Sequence, residues 1–195
     1  MNEKTFFTGK NIAIIAIIAV VLILIVSFVS SYNSLATKRE ETEEKLSVID
    51  VQLKRRADLI PNLVNTVKGY AKHETEAIDA VTEARTKYGS AGTTEEKAMA
   101  DAQLSSAISR LLVIAEAYPD LKADANFRQL SDELAGTENR IAVARKDYNE
   151  AAKEYNNNTI KFPSNIIAGM FGFEKVTYFE ASEADRELPT VDFND

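Results

Sequence analysis

The stretch Ile12–Val29 reads IAIIAIIAVVLILIVSFV, and it decides which solvent the chain must fold in. No charge, proline or glycine interrupts it, and Ser27 is its one polar residue. An α-helix rises ~1.5 Å per residue, so the run spans roughly 27 Å. That matches a hydrocarbon core of ~30 Å. A helix is the form favoured there, because it satisfies its backbone N–H and C=O groups internally. The reading is therefore a transmembrane helix over residues 12–31, preceded by a short flank over residues 1–11. A cleaved signal peptide is the rival: Lys4 and Lys10 would form its basic start, with Val29 and Ser31 before the cut. The apolar run is longer than the ~7–15 residues usual for such a segment, which favours a retained anchor.

Outward from the run, TKREETEEK (37–45) is a solvated helix face. Apolar residues then recur in steps of three and four: Leu46, Ile49, Leu53, Ile60, Leu63, Val67 and Tyr70, then Ile78, Val81 and Tyr88. That spacing places them on one side of a helix. Pro61 leaves two readings open. It kinks one continuous helix, as the unbroken apolar phase suggests, or it stands in the first turn of a new helix capped by Asp58. The stretch Gly89–Gly92 is a turn, and Thr93 with Glu96 forms a capping box for a helix carrying Leu104, Ile108, Leu111, Ala115 and Tyr118, ended by Pro119. The last long helix has the cleanest seam: Phe127, Leu130, Leu134, Thr137, Ile141, Ala144, Tyr148, Ala151 and Tyr155. SNIIAGMFGFEKVTYF (164–179) is too short for another span and reads as a short helix and an extended piece against the bundle. Residues 180–195 carry six acids against Arg186 and read as an acidic, mobile tail.

The expected fold is all-α: one transmembrane helix, then an antiparallel up-and-down bundle of three or four long helices over residues 32–179. Composition narrows the function. The net charge of −7 over 195 residues argues against general nucleic-acid binding. The absence of cysteine excludes disulfides, thiol catalysis and cysteine-based zinc sites. Seven glycines and four prolines suit long helices.

Few residues suggest chemistry. His73 is the only histidine. It could act as a base beside Glu74 or Glu76, but a surface hydrogen-bonding role fits better, and a lone histidine builds no zinc site. Lys54, Arg55 and Arg56 are the candidate contact for a partner or for anionic lipid. The competing reading is three cations that interact with a helix dipole and neighbouring glutamates. Arg85, Arg140 and Arg145, with Glu74, Glu116 and Glu138, read as interhelical ion pairs, and Asn139, Asn149 and Asn156 as register-setting residues. The tyrosines at 70, 88, 118, 148 and 155 read as core rings with hydroxyls at the bundle edge. No phosphate loop, serine elbow or dinucleotide fingerprint occurs. No catalytic residue, metal or cofactor is expected.

Several strings are distinctive: YNSL at Tyr32, DVQLKRRADLIPNLVNTVKGYAKHE (50–74), AR at Ala84, AEAYPDLKADANF (115–127), LAGTENRIAVARKDYN (134–149) and FP at Phe162. Together they resemble the LemA family of bacterial membrane proteins, from the span to about Phe179, with the acidic tail outside the motifs. The resemblance implies one N-terminal span and a four-helix bundle in the cytoplasm, which tips Pro61 toward a break. It implies no enzymatic activity and supplies no catalytic residue. A magnetosome-associated membrane protein belongs to that family, and its genes often neighbour those of membrane metalloproteases or other membrane proteins. The excess of Lys and Arg after the span agrees with a bacterial cell-membrane protein whose N-terminus is outside and whose bundle is cytoplasmic. The expected function is a non-enzymatic scaffold that binds another protein or organises a membrane complex, with self-association as a further expectation. The alternatives are a small-ligand sensor using the bundle interior, or a hydrolytic enzyme.

Overall fold

The structure, a computed structural model, describes residues 9–179. The acidic tail lies outside the described residues. Six helices follow in order, α1 (Gly9–Tyr70), α2 (Thr75–Ser90), α3 (Thr94–Ala115), α4 (Pro119–Ala123), α5 (Ala125–Ile160) and α6 (Ser164–Phe171), with no strand among the described residues. The fold is all-α, a long N-terminal apolar helix and a helical bundle whose long members are joined by short turns, as up-and-down packing requires. All of Ile12–Val29 is exposed along α1, and the helix contains an 18-residue window of mean hydropathy 3.5.

Two compact units can be distinguished. Within the described residues, one comprises 45–148 with 178–179 and the other 9–44 with 149–177. The core of the first joins Ile60, Leu63 and Val67 of α1, Ile78 and Val81 of α2, Leu104, Ile108 and Leu111 of α3, Leu121 of α4, and Phe127 and Leu134 of α5. These are largely the positions that the three-and-four spacing selects. On α5 the seam continues through Thr137, Ile141, Ala144, Tyr148 and Tyr155, all buried; Ala152 is buried where Ala151 was expected to be.

The helix boundaries have local causes. The capping box forms as expected: Thr93 Oγ1 accepts from Glu96 N at 3.1 Å, and the Glu96 carboxylate accepts from Gly92 N at 2.8 Å and Thr93 N at 3.1 Å. Pro119 does not close α3, which stops at Ala115; it opens α4, in whose first turn its missing N–H costs little. Asp124 then starts α5, its carboxylate accepting from Phe127 N at 2.9 Å.

Pro61 does not separate two helices, so the break implied by the resemblance does not occur: α1 runs through it. A proline inside a helix denies the carbonyl four residues earlier its usual donor. Here that carbonyl belongs to Ala57, and Arg85 Nε of α2 donates to it at 3.0 Å. A side chain from the neighbouring helix replaces the lost backbone bond.

The second unit has its own small core, Leu35 of α1, Tyr155 of α5, and Ile167 and Ala168 of α6, with Phe173 and Val176 packed on it. Gly172 ends α6 in the left-handed region, φ 70°, and Phe173 N closes the turn on Ala168 O at 3.0 Å. From Phe173 to Phe179, the last described residue, the chain carries no regular structure. Asn156 clamps this piece: its amide donates to Val176 O at 2.8 Å and accepts from Val176 N at 2.9 Å.

Candidate functional site

The adjacent residues Lys54, Arg55 and Arg56 meet different environments, because each step along a helix turns by ~100°. Lys54 is exposed and lies 3.6 Å from Asp58, one turn on. Arg56 is buried. It contacts Asp101 of α3 at 3.0 Å and Glu138 of α5 at 2.8 Å. Asp101 is itself 2% exposed and takes a second guanidinium, Arg145 of α5, at 2.7 Å. The hub of this cluster, Asp101, was not singled out from sequence. Its signal was available: it stands three residues before Leu104 and seven before Ile108, on the inward face of α3.

Burial pushes the Asp101 carboxyl above its ordinary range, and Arg56 and Arg145 pull it back only in part. Gln52 Oε1 and the Nε atoms of Arg56 and Arg145 are buried without a hydrogen-bond partner. Desolvation thus competes with Coulomb attraction throughout the cluster, as in buried ion pairs generally. Such a cluster can specify one helix register at little net gain. Nearby, burial and the charges of Asp50 and Asp101 push the Tyr88 phenol up to about 12.

Arg55 points elsewhere. With Arg128 and Arg140 of α5 it lines an open groove of about 500 Å³, which also holds Gln129, Asp132 and Glu133. All three guanidiniums are exposed, and among the described residues none is held in an ion pair. Arg140, expected in an interhelical pair, belongs to this groove instead.

The other candidates mostly serve helix junctions. Tyr70 Oη donates to Asp124 at 2.9 Å, and Tyr118 Oη donates to Glu74 at 2.8 Å. Glu116 pairs with Lys122. The backbone N–H of Phe127, and after it the phenol of Tyr70, hold Asp124 below the usual carboxylate range. Tyr148 is buried beneath Phe179, ring centroids 5.1 Å apart. These contacts explain why GYAKHE and AYPDLKAD carry tyrosines and acids: they tie the end of α1 to the α3–α4–α5 connections. His73 is exposed in the turn after α1, and Glu74, its expected neighbour, is occupied by Tyr118. Among the described residues, no three His, Asp or Glu side chains converge as a metal site would require.

Fold and geometry together define a class: a helical bundle carried on a long apolar helix, with its interior charges paired among themselves. The LemA family model matches residues 45–193, and the chain belongs to that family. The match begins after the apolar run and extends past Phe179, so most of the acidic tail falls within it. The chain is 30% identical to magnetosome protein MamQ 2 of Paramagnetospirillum magneticum and 27% identical to magnetosome protein MamQ of Magnetospirillum gryphiswaldense, each alignment covering 78% of this chain and 66% of the relative. It is 28% identical to protein LemA of Metamycoplasma hominis, over 79% of this chain and 71% of that protein. The matched region thus spans just under two thirds of the MamQ proteins.

Proposed function

We propose that this chain is a single-pass, membrane-anchored scaffold without catalytic activity, in which residues 12–31 span the bilayer and residues 32–179 form the body that engages a protein partner. The observation that carries the reading is the contrast along α1. Every residue from Ile12 to Val29 is exposed, whereas the same helix buries Ile60, Leu63 and Val67 in an apolar core. A contiguous apolar surface of that length calls for a lipid or protein environment. The buried charges Arg56 and Asp101 are spent on one another and their neighbours, and the arginine groove is open.

Within this reading, the partner presents an acidic segment to Arg55, Arg128 and Arg140. Unpaired arginines suit planar carboxylates, which they bind with two parallel hydrogen bonds. The bundle faces the cytoplasm and the N-terminus lies outside, on the side rule for Lys and Arg. Cross-linking in native membranes followed by affinity purification should recover a reproducible protein partner, and Arg55→Glu with Arg128→Glu should abolish its recovery. Failure to recover any partner, or recovery indifferent to both charge reversals, would reject the groove-binding scaffold. Protease added to intact cells should leave the bundle uncut, and digestion from outside would reverse the orientation.

A further inference from the structure

The unit formed by residues 9–44 and 149–177 turns part of its apolar surface outward. On α6, Ile167 and Ala168 pack inward on Leu35 and Tyr155. The opposite face presents Ile166 and Met170, each more than half exposed; Phe171, half exposed, lies on the side toward α1, and Phe162 just before the helix is 81% exposed. From Phe162 to Phe173 no residue is charged; Lys161 precedes the segment, and Glu174 and Lys175 follow it. A solvated helix this short would ordinarily carry polar residues on its outer face.

Its location names what covers it. The Phe171 ring lies 4.9 Å from that of Tyr32 and 6.0 Å from that of Phe28, and Phe173 stacks edge-on to Tyr32 at 5.7 Å. Phe28 belongs to the apolar run itself. Whatever medium surrounds the last turn of that run therefore reaches α6. We propose that α6 and Phe162 form a second membrane contact, an interfacial helix lying in the headgroup–acyl boundary where α1 leaves the bilayer. Tyr32, Phe171 and Phe173 are the aromatic belt of that boundary. Lys161 and Lys175 reach phosphate headgroups, and the apolar face enters the outer acyl region by ~5–10 Å. The consequence is mechanical. A single span can rotate and tilt freely, whereas a span with an interfacial helix packed on its end holds one orientation. This inference rests on the membrane-anchor reading and goes beyond it.

The chain has no cysteine, so single labels are clean. Environment-sensitive fluorophores would be placed at Met170→Cys, at Phe162→Cys, at Ile18→Cys within the run and at Val113→Cys, an exposed site on α3. The full chain would be reconstituted in phosphatidylcholine–phosphatidylglycerol vesicles with brominated acyl chains, its helicity checked by circular dichroism. Quenching at 18, 162 and 170 with none at 113 is the expected result. Quenching at 18 while 162 and 170 behave like 113 would overturn the interfacial helix and leave the anchor standing. Blue-shifted but unquenched emission at 162 and 170 would mean a protein, a second copy included, covers the face, and would equally overturn it. No quenching at 18 would reject the anchor and this inference together.

Discussion

The ion cluster around Asp101 and the outer face of α6 invert the usual rule of burial in opposite ways. The first places charge inside, the second places apolar side chains outside. Asp101 finds two guanidiniums within 3.0 Å, so its cost is offset, in part, inside the molecule. Ile166, Met170 and Phe162 find nothing comparable within their own unit. An anomaly resolved internally is about folding, and one left unresolved is about an environment the chain does not itself provide. The comparison also separates neighbours: Arg56 belongs to the first category, while Arg55, one residue earlier, faces a groove with two other unpaired arginines.

The largest expected effect tests the internal resolution. Asp101→Ala leaves Arg56 buried beside a single carboxylate and should cost ~3–5 kcal/mol of stability, read by urea denaturation of the full chain in detergent. Replacing Arg56, Asp101 and Arg145 together by Met, Leu and Met should recover most of that loss. If the single substitution were harmless, the cluster would not specify the helix register. Next comes the Pro61 repair. Arg85→Met should cost ~0.5–1.5 kcal/mol by stripping Ala57 O of its donor. The same substitution should cost much less beside Pro61→Ala, which restores the backbone N–H; additivity in that cycle would show the two residues are uncoupled.

Acid sharpens the contrast between inner and outer carboxylates. Asp124 and Glu96 are held low, chiefly by backbone N–H groups, so their stabilisation is full above the ordinary carboxylate range and is lost as pH falls through their lowered values. Asp101 is raised, so it binds a proton more readily folded than unfolded and contributes in the opposite sense. Thermal melts on acidification should therefore show Asp124→Asn losing less stability than the parent chain and Asp101→Asn losing more. The smallest effect belongs to the exposed face. Ile166→Ser with Met170→Ser should change folding stability by less than ~0.5 kcal/mol each, as surface substitutions do. A large loss there would make the outer face of α6 part of a core as well.

Much of this was legible in sequence because it is local. The seam of α5, the capping box of Thr93 and Glu96, and the short helix after Pro163 all depend on residues within a turn or two of each other. What could not be read depends on distant partners. The continuity of α1 through Pro61 rests on Arg85, and the tyrosine–acid pairs at the helix junctions join residues 44 and 54 positions apart. Asp101 was overlooked because a lone acid in an alanine-rich stretch resembles a surface residue until its phase with Leu104 and Ile108 is counted. The outward face of α6 was missed for a related reason: an apolar segment suggests burial, and periodicity cannot say which of two apolar faces meets protein.

The central claim is that the apolar run of α1 sits in lipid and carries the body with it. Alkaline carbonate extraction of cells expressing the full-length chain tests it most directly. The uncut chain should stay in the membrane pellet and be released only by detergent. Recovery of that uncut chain in the detergent-free supernatant after high-speed sedimentation would contradict the claim.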